Sequence, residues 1–429
     1  MKEKAILVVL EFDSGPRRDP SEDVRAELEE LAVSAGLDVV KSLVVRQKRP
    51  GAPLLLGSGK AAEIAALRRA ADADVVVFQD DLSASQQRNL EEIVGAKTID
   101  RTQLILDIFA QRARSTEGKL QVELAQLRYL LPRLAGKGIL LSRLGGGVGT
   151  RGPGEQKLEM DRRRIRERVA RLGKELRQLQ KRRLAGIRSK QETEMPLVAL
   201  VGYTNAGKSS LFNRLVRANE VRVQDSLFST LDTTTRAMTL PDGRKALLVD
   251  TVGFVRDLPH HLIESFKATL EETVHAQLLL HVVDSARADV EAVERAVRGV
   301  LAALGADKTR TFLVLNKIDG LDEASRAAAE ARALREGGFA VSARTGEGLT
   351  ALVSGIEEAV SGDRRPRELF VPKERLGLLD LLYREATVLG RQDGPDGVSV
   401  RVMISEKTEG KFLSRLGSQG RGTAPLPGA

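Results

Sequence analysis

Pro196-Leu197-Val198-Ala199-Leu200-Val201-Gly202-Tyr203-Thr204-Asn205-Ala206-Gly207-Lys208-Ser209-Ser210 is the stretch whose reading decides the fold. Gly202 and Gly207 have four residues between them and are followed by Lys208 and Ser209, the spacing of a phosphate loop. The apolar run before the first glycine predicts a buried parallel strand, and Leu211, Phe212, Leu215 and Val216 after it recur at helical spacing. Glycines let backbone N–H groups turn inward on phosphate oxygens at a helix N-terminus, where the helix dipole favours negative charge. Lys208 is placed to reach the β- and γ-phosphates, and the Ser209 hydroxyl to ligate magnesium.

Around this loop lie 429 residues, too many for one core, so about three domains are expected. With 42% apolar residues the chain can bury a core, and with no cysteine it has no disulfide, thiolate nucleophile or cysteine metal site. The four histidines, His260, His261, His275 and His281, show no zinc spacing. No apolar run is long enough to span a bilayer, and the N-terminal one is too short for a secretory signal, which predicts no membrane association and a cytoplasmic protein. The net charge of +9 leans toward a polyanionic partner.

Read in order, residues 1–112 alternate strand-like runs (Ala5 to Leu10, Val39 to Val45, Asp74 to Phe78) with helical ones, predicting an α/β domain with a parallel sheet. Gly57-Ser58-Gly59-Lys60 lacks the second glycine and the Ser/Thr of a phosphate loop, since Ala61 follows, and reads as a turn and helix start. Residues 113–190 read as a helical hairpin. Leu120, Leu124, Leu127, Leu131 and Leu134 form one stripe, and Leu158, Ile165, Leu172 and Leu179, with Val169 and Leu176 between, form a coiled-coil-like seam. The glycine-rich stretch from Gly145 to Glu155 joins them and is expected to be irregular. The second helix carries Arg162, Arg163, Arg164, Arg166, Arg168, Arg171, Lys174, Arg177, Lys181, Arg182, Arg183, Arg188 and Lys190, a one-signed excess that suits a phosphate backbone, RNA above all. It has no aromatic residue, which argues against base stacking there. A polar connector at 188–194 leads into a nucleotide-binding domain at 195–362, followed by a small α+β domain at 368–416 and a disordered tail at 417–429.

The base is read from the strand ends downstream. Ala246 to Val249 is an apolar strand ending in Asp250-Thr251-Val252-Gly253, where the Asp can hold the magnesium shell and the Gly N–H can sense a γ-phosphate. Thr311 to Leu315 ends in Asn316-Lys317-Ile318-Asp319, whose carboxylate can accept from the ring N–H and amino group of guanine, a donor pair adenine lacks. Ser342-Ala343-Arg344 closes a further strand where a base-supporting loop belongs. Four such motifs in order favour GTP over ATP, against the rival readings of a kinase or ATP-driven motor and of an RNA-binding scaffold with a degenerate nucleotide site.

Taken with Asp80-Asp81-Leu82-Ser83, Gln86 to Leu90, Asp100 to Phe109, Lys119 to Arg133, Gly149 to Glu155 and Phe228-Ser229-Thr230-Leu231-Asp232, these motifs resemble the HflX family within the Obg–HflX group of GTPases over nearly the whole chain. The resemblance implies an N-terminal α/β domain with a hairpin that docks on the large ribosomal subunit and its RNA, GTP hydrolysis with Mg2+, and a role in splitting or rescuing ribosomes under stress or in subunit biogenesis, by a monomer. It also implies that Phe228 to Asp232 form switch I with Thr230 as the second magnesium ligand beside Ser209. Asp250 to Gly253 then form switch II, and Lys208, Thr230 and Gly253 serve hydrolysis. Where the family usually has Pro after the switch I Asp, this chain has Thr233. Asn205 resembles the potassium-coordinating Asn of related GTPases, which implies K+ activation. After Gly253, where Ras-like proteins have a water-orienting Gln, stands Phe254; an apolar ring cannot orient water, so slow intrinsic hydrolysis that rises on the partner is expected.

Overall fold

The computed structural model describes residues 2–12, 21–47, 53–134, 153–192, 195–216, 227–228, 233–256, 273–287, 289–362, 364–416 and 424–425. In the N-terminal part, β1 (Lys4–Phe12), α1 (Ser21–Ser34), β2 (Asp38–Gln47), α2 (Ser58–Ala71), β3 (Val75–Phe78), α3 (Ala84–Val94), β4 (Lys97–Asp100) and α4 (Arg101–Arg112) alternate as predicted, with β4 added. The strands pair in parallel in the order β2-β1-β3-β4. Both faces of β1 are covered: Leu7 and Val9 join one apolar cluster with Leu28 of α1 and Ile105 of α4, while Ile6 and Val8 join another with Ile64 of α2 and Leu90 of α3. That two-sided burial is why β1 reads as a continuous apolar run rather than an alternating one. Gly57 is the extended N-cap of α2, and the Lys60 ammonium pairs with Glu63 at 2.7 Å, so this stretch is a helix start.

Two helices follow, α5 (Thr116–Arg133) and α6 (Pro153–Glu192). They meet through Leu124, Leu172 and Leu176, flanked by Leu120, Leu127 and Val169, and a bidentate Arg168–Glu123 pair at 2.7 and 2.8 Å fixes their register. Two expectations are corrected. Pro153-Gly154-Glu155 belong to α6, because a proline at the first helical position lacks only an N–H that would have no helical partner. The helix also runs on to Glu192, through most of the stretch read as a connector. The glycines from 145 to 149 lie outside the described residues.

The central sheet runs β10 (Phe339–Ala340), β9 (Thr311–Asn316), β8 (Leu278–Asp284), β5 (Leu197–Gly202), β7 (Lys245–Asp250) and β6 (Thr234–Thr239), parallel except for β6. Helices α7 (Lys208–Val216), α8 (Val290–Leu304), α9 (Glu323–Arg335) and α10 (Leu349–Val360) cover its two faces. One face shares its core with the N-terminal part: Leu28 and Phe109 belong to the same cluster as Tyr203, Phe228, Phe254 and Leu279.

The C-terminal part is β11 (Arg365–Pro372), a 3₁₀ turn, α11 (Leu379–Glu385), β12 (Thr387–Asp393), β13 (Gly397–Ile404), α12 (Glu406–Leu416) and β14 (Ala424–Pro425). The sheet order β12-β13-β11-β14 makes this a split β-α-β unit. Ala424 and Pro425, which composition placed in a disordered tail, pair with Glu368 and Arg367 of β11. Among the described residues no helix is long and apolar enough to cross a membrane.

Candidate functional site

The site forms where β5, β7 and β9 deliver their carboxyl ends to one crevice, the usual ligand position of an open parallel sheet. Gly202 closes β5 with φ 150°. A Cβ there would strike the carbonyl of Val282 on β8, so the sharp entry to the loop demands glycine. Tyr203, Thr204, Asn205 (φ 61°) and Ala206 wrap to Gly207 (φ 86°), where α7 begins. Lys208 is fully enclosed, and its ammonium donates to the carbonyls of Gly202 at 3.0 Å and Tyr203 at 2.7 Å. Burial lowers its pKa from 10.5 to about 8, with nearby Asp250 opposing. A cation held in so dry a cradle is primed for phosphate oxygens, which restore the charge balance that burial removed.

Beside it the Ser209 hydroxyl donates to Asp250 Oδ2 at 2.7 Å, and Asp250 is buried at the end of β7. A hydroxyl and a carboxylate are hard oxygen donors and fit Mg2+. Thr251 anchors the next turn by donating to the Leu200 carbonyl at 2.6 Å, and Val252 is buried. At Gly253 a Cβ would come within 2.8 Å of Thr204 Cγ2 and 3.1 Å of Lys208 Nζ, so only glycine lets this backbone lie against the cradle. Phe254 then pairs with the loop itself: its N–H donates to Gly202 at 3.1 Å, and its carbonyl accepts from Thr204 at 2.8 Å. Its ring is 1% exposed and lies in the core shared with the N-terminal part. The residue that replaces a water-orienting Gln is thus withdrawn from solvent.

Of the residues expected to form switch I, Phe228 is described, and Ser229, Thr230, Leu231 and Asp232 lie outside the described residues. Phe228 takes φ 55° and packs its ring edge-on to Phe109 of α4, with centroids 4.6 Å apart. Its neighbour Leu227 donates its N–H to Ser34 Oγ at 3.1 Å.

At the other end of the crevice Asn316 is 1% exposed and spans two loops, donating to the Ala206 carbonyl at 2.9 Å and accepting from the Ala343 N–H at 3.0 Å. Lys317 (φ 67°) extends to Asp284 at 2.7 Å, and Ile318 is buried behind it. Asp319 accepts from Ser342 Oγ at 2.6 Å and pairs with Arg344, and these contacts, the Ser342 bond above all, hold its carboxyl below the usual carboxylate range. Ala343 is buried, and Arg214 of α7 fixes its loop by donating to the carbonyls of Ala343, at 3.0 Å, and Arg344.

The sequence motifs therefore converge, and the structure adds residues that no motif signalled. Arg214 and Asp284 support the base end from elements whose local sequence is unremarkable. At the phosphate end the Tyr203 hydroxyl donates to Glu27 of α1 and accepts from the Arg256 N–H at 2.8 Å.

Family models match end to end: the N-terminal region of GTP-binding GTPases over residues 22–110, their middle region over 112–190, a 50S ribosome-binding GTPase over 197–317 and the HflX C-terminal domain over 327–424. GTPase HflX of Caldanaerobacter subterraneus subsp. tengcongensis is 43% identical across 94% of this chain and 91% of that protein. GTPase HflX of Escherichia coli K12 is 42% identical across 94% of both. A crystal structure of a GTP-binding protein from Sulfolobus solfataricus in complex with GDP is 23% identical, with a TM-score of 0.44, over 84% of this chain and 99% of that one. The chain belongs to the HflX family of GTPases.

Proposed function

We propose that this GTPase binds GTP with Mg2+, docks as a monomer on the large ribosomal subunit through the α5–α6 hairpin, and uses hydrolysis to time ribosome splitting or rescue. The observation that carries the docking is α6 itself. Its 40 residues make a rod of about 60 Å. Arg163, Arg164, Arg166, Arg171, Lys174, Arg177, Lys181 and Arg182 stand exposed along it. Such a row can neutralise a series of backbone phosphates without reading bases. The match of residues 197–317 to a ribosome-binding GTPase family supports the same partner.

In this reading the backbone from Gly202 to Gly207 and Lys208 hold the phosphates, while Ser209 and Thr230 hold the metal, with Asp250 in its outer shell. Held there, Mg2+ would supply neutralisation of the phosphate charge. The Gly253 N–H, already against the cradle, is the donor that senses the γ-phosphate. Asn316 holds the loops together, the Lys317 stem covers the base, Asp319 reads its N–H donors, and Ser342 orients that carboxylate. With Phe254 withdrawn, this chain offers no side chain at that position to orient water, so hydrolysis is slow until the partner completes the site.

Sedimentation of ribosomes, as 70S particles and as isolated large subunits, with this protein and a non-hydrolysable GTP analogue tests the reading. Co-sedimentation, with release of subunits from 70S particles, is expected. A protein that stays in the supernatant with the analogue bound rules the function out.

A further inference from the structure

Glu27, at the middle of α1, is 6% exposed and accepts hydrogen bonds from the Tyr203 hydroxyl of the phosphate loop and the guanidinium of Arg101. Arg256, three residues past Gly253, reaches the same carboxylate at 3.5 Å, pairs with Asp289, and gives its N–H to the Tyr203 hydroxyl. Arg101 opens α4, and the residue before it, Asp100, caps that helix through the Gln103 N–H at 2.9 Å. Asp100, fully buried, also accepts from the Tyr129 hydroxyl and from Arg133, both at 2.9 Å. Tyr129 and Arg133 sit at the end of α5, with the guanidinium 3.4 Å from the ring centroid. Arg133 further donates to the Leu82 carbonyl at 2.6 Å. The phosphate loop and the segment after Gly253 are thus joined, through polar contacts and the Asp100–Arg101 peptide link, to the C-terminal end of α5.

We propose that Glu27 is a positioning residue of the GTPase site that couples the arrangement of Tyr203 and Arg256 to the seating of α4 and the C-terminal end of α5. Two arguments support a coupling role over simple adhesion. The surrounding interface is already apolar, with Phe109, Phe228, Phe254 and Leu28 in one cluster, and adhesion alone is served as well or better by apolar side chains than by a desolvated ion pair. In addition, the contacts attach to the segment after Gly253, the kind of segment that reorders when a γ-phosphate arrives or leaves, and to the phosphate loop beside it. A carboxylate that accepts from two donors and has a further cation at 3.5 Å has discrete pairings, so a shift of Arg256 re-partitions Glu27 between Tyr203 and Arg101. The link to ribosome docking rests on the hairpin reading above, whereas the coupling itself is measurable without ribosomes.

The test is amide hydrogen exchange of residues 101–112 and 129–133 in the full chain with GDP and with a non-hydrolysable GTP analogue, for the parent, Glu27→Gln, Tyr203→Phe and the double variant. The parent is expected to show exchange rates differing by about fivefold or more between the two nucleotides. Each single variant should reduce that difference to less than about twofold, and the double variant should lose no more than either single one, because all three cut one connection. A parent with no nucleotide dependence, singles that keep the parental difference, or losses that add would overturn the coupling. Large-subunit sedimentation of the same proteins separates the two readings. A parent that fails to bind removes the docking function and leaves the exchange result to decide the coupling.

Discussion

Replacing Asn316 by Asp changes one NH2 group to oxygen, and the surroundings set the size of its effect. The amide nitrogen donates to the Ala206 carbonyl at 2.9 Å while the amide oxygen accepts from Ala343, in a site 1% exposed. As a carboxylate, the new side chain faces a carbonyl oxygen in place of its donor. The unpaired acceptor costs about 1–3 kcal/mol, and the buried charge adds several more. As a carboxylic acid it can still donate, but keeping a group of pKa about 3.9 protonated at about pH 7.5 costs about 5 kcal/mol. The lower route wins, so the total deficit is about 3–5 kcal/mol. It is divided between folding and GDP binding according to how far the empty loop relaxes. The folded-state pKa of the new carboxyl is raised, so between about pH 7.5 and about pH 5.5 stability is recovered once pH falls below that raised value, by about 1.4 kcal/mol per unit. Denaturant unfolding and GDP calorimetry at both pH values, each referred to the parent, give the sum. A combined deficit under about 1 kcal/mol, or one that does not shrink at the lower pH, would refute the stapling role.

Two further outcomes follow from buried basic side chains. Lys208 is lowered to about 8 by burial, and bound phosphates raise it again, so GDP affinity should be flat below about pH 7.5 and fall toward tenfold per unit above about pH 8, with proton uptake seen by calorimetry in two buffers. Equal affinity at about pH 7 and about pH 9 would show the ammonium is not desolvated. His281, at the centre of β8 and 2% exposed, is lowered from 6.5 to about 4, by burial first and then by Arg298, Lys208 and Arg332. The neutral form is the one the fold accepts, so stability is complete above pH 6.5 and is lost as pH falls through that value toward 4, by roughly 3 kcal/mol. His281→Leu should flatten this acid limb in urea unfolding, and an unchanged slope would assign the loss to other groups.

Much of the site was legible because each of its parts is a local pattern on a strand end. The loop from Gly202, the turn at Asp250, the Asn316 to Asp319 run and the Ser342 turn all announce their own geometry. Glu27, Arg101, Arg214, Asp284 and Arg256 were not legible. Each reaches the site from a different element, and only tertiary pairing reveals that an acid on α1 meets a tyrosine 176 positions away. The same limit explains the missed strands. β8 is apolar but for His281 and its terminal Asp284, and β12, with Gly390 and Asp393, reads as loop until β13 pairs with it. Helix α5 was read for one stripe, yet its opposite face buries Gln121, Val122, Ala125 and Tyr129, which only the neighbouring core makes sense of. For α6, two punctuation signals misled: proline at its start and a polar run at its end are both compatible with helix.

The continuity of α6 has a mechanical consequence. A helix of 40 residues whose apolar seam to α5, among the described residues, runs from Val169 to Leu176 is a rod held by a short clamp near its middle. Each arm beyond the clamp is about 24 Å long, so a tilt of about 5° sweeps each tip by roughly 2 Å. The two ends move in opposite senses, and the guanidinium groups along the shaft travel in proportion to their distance from the clamp.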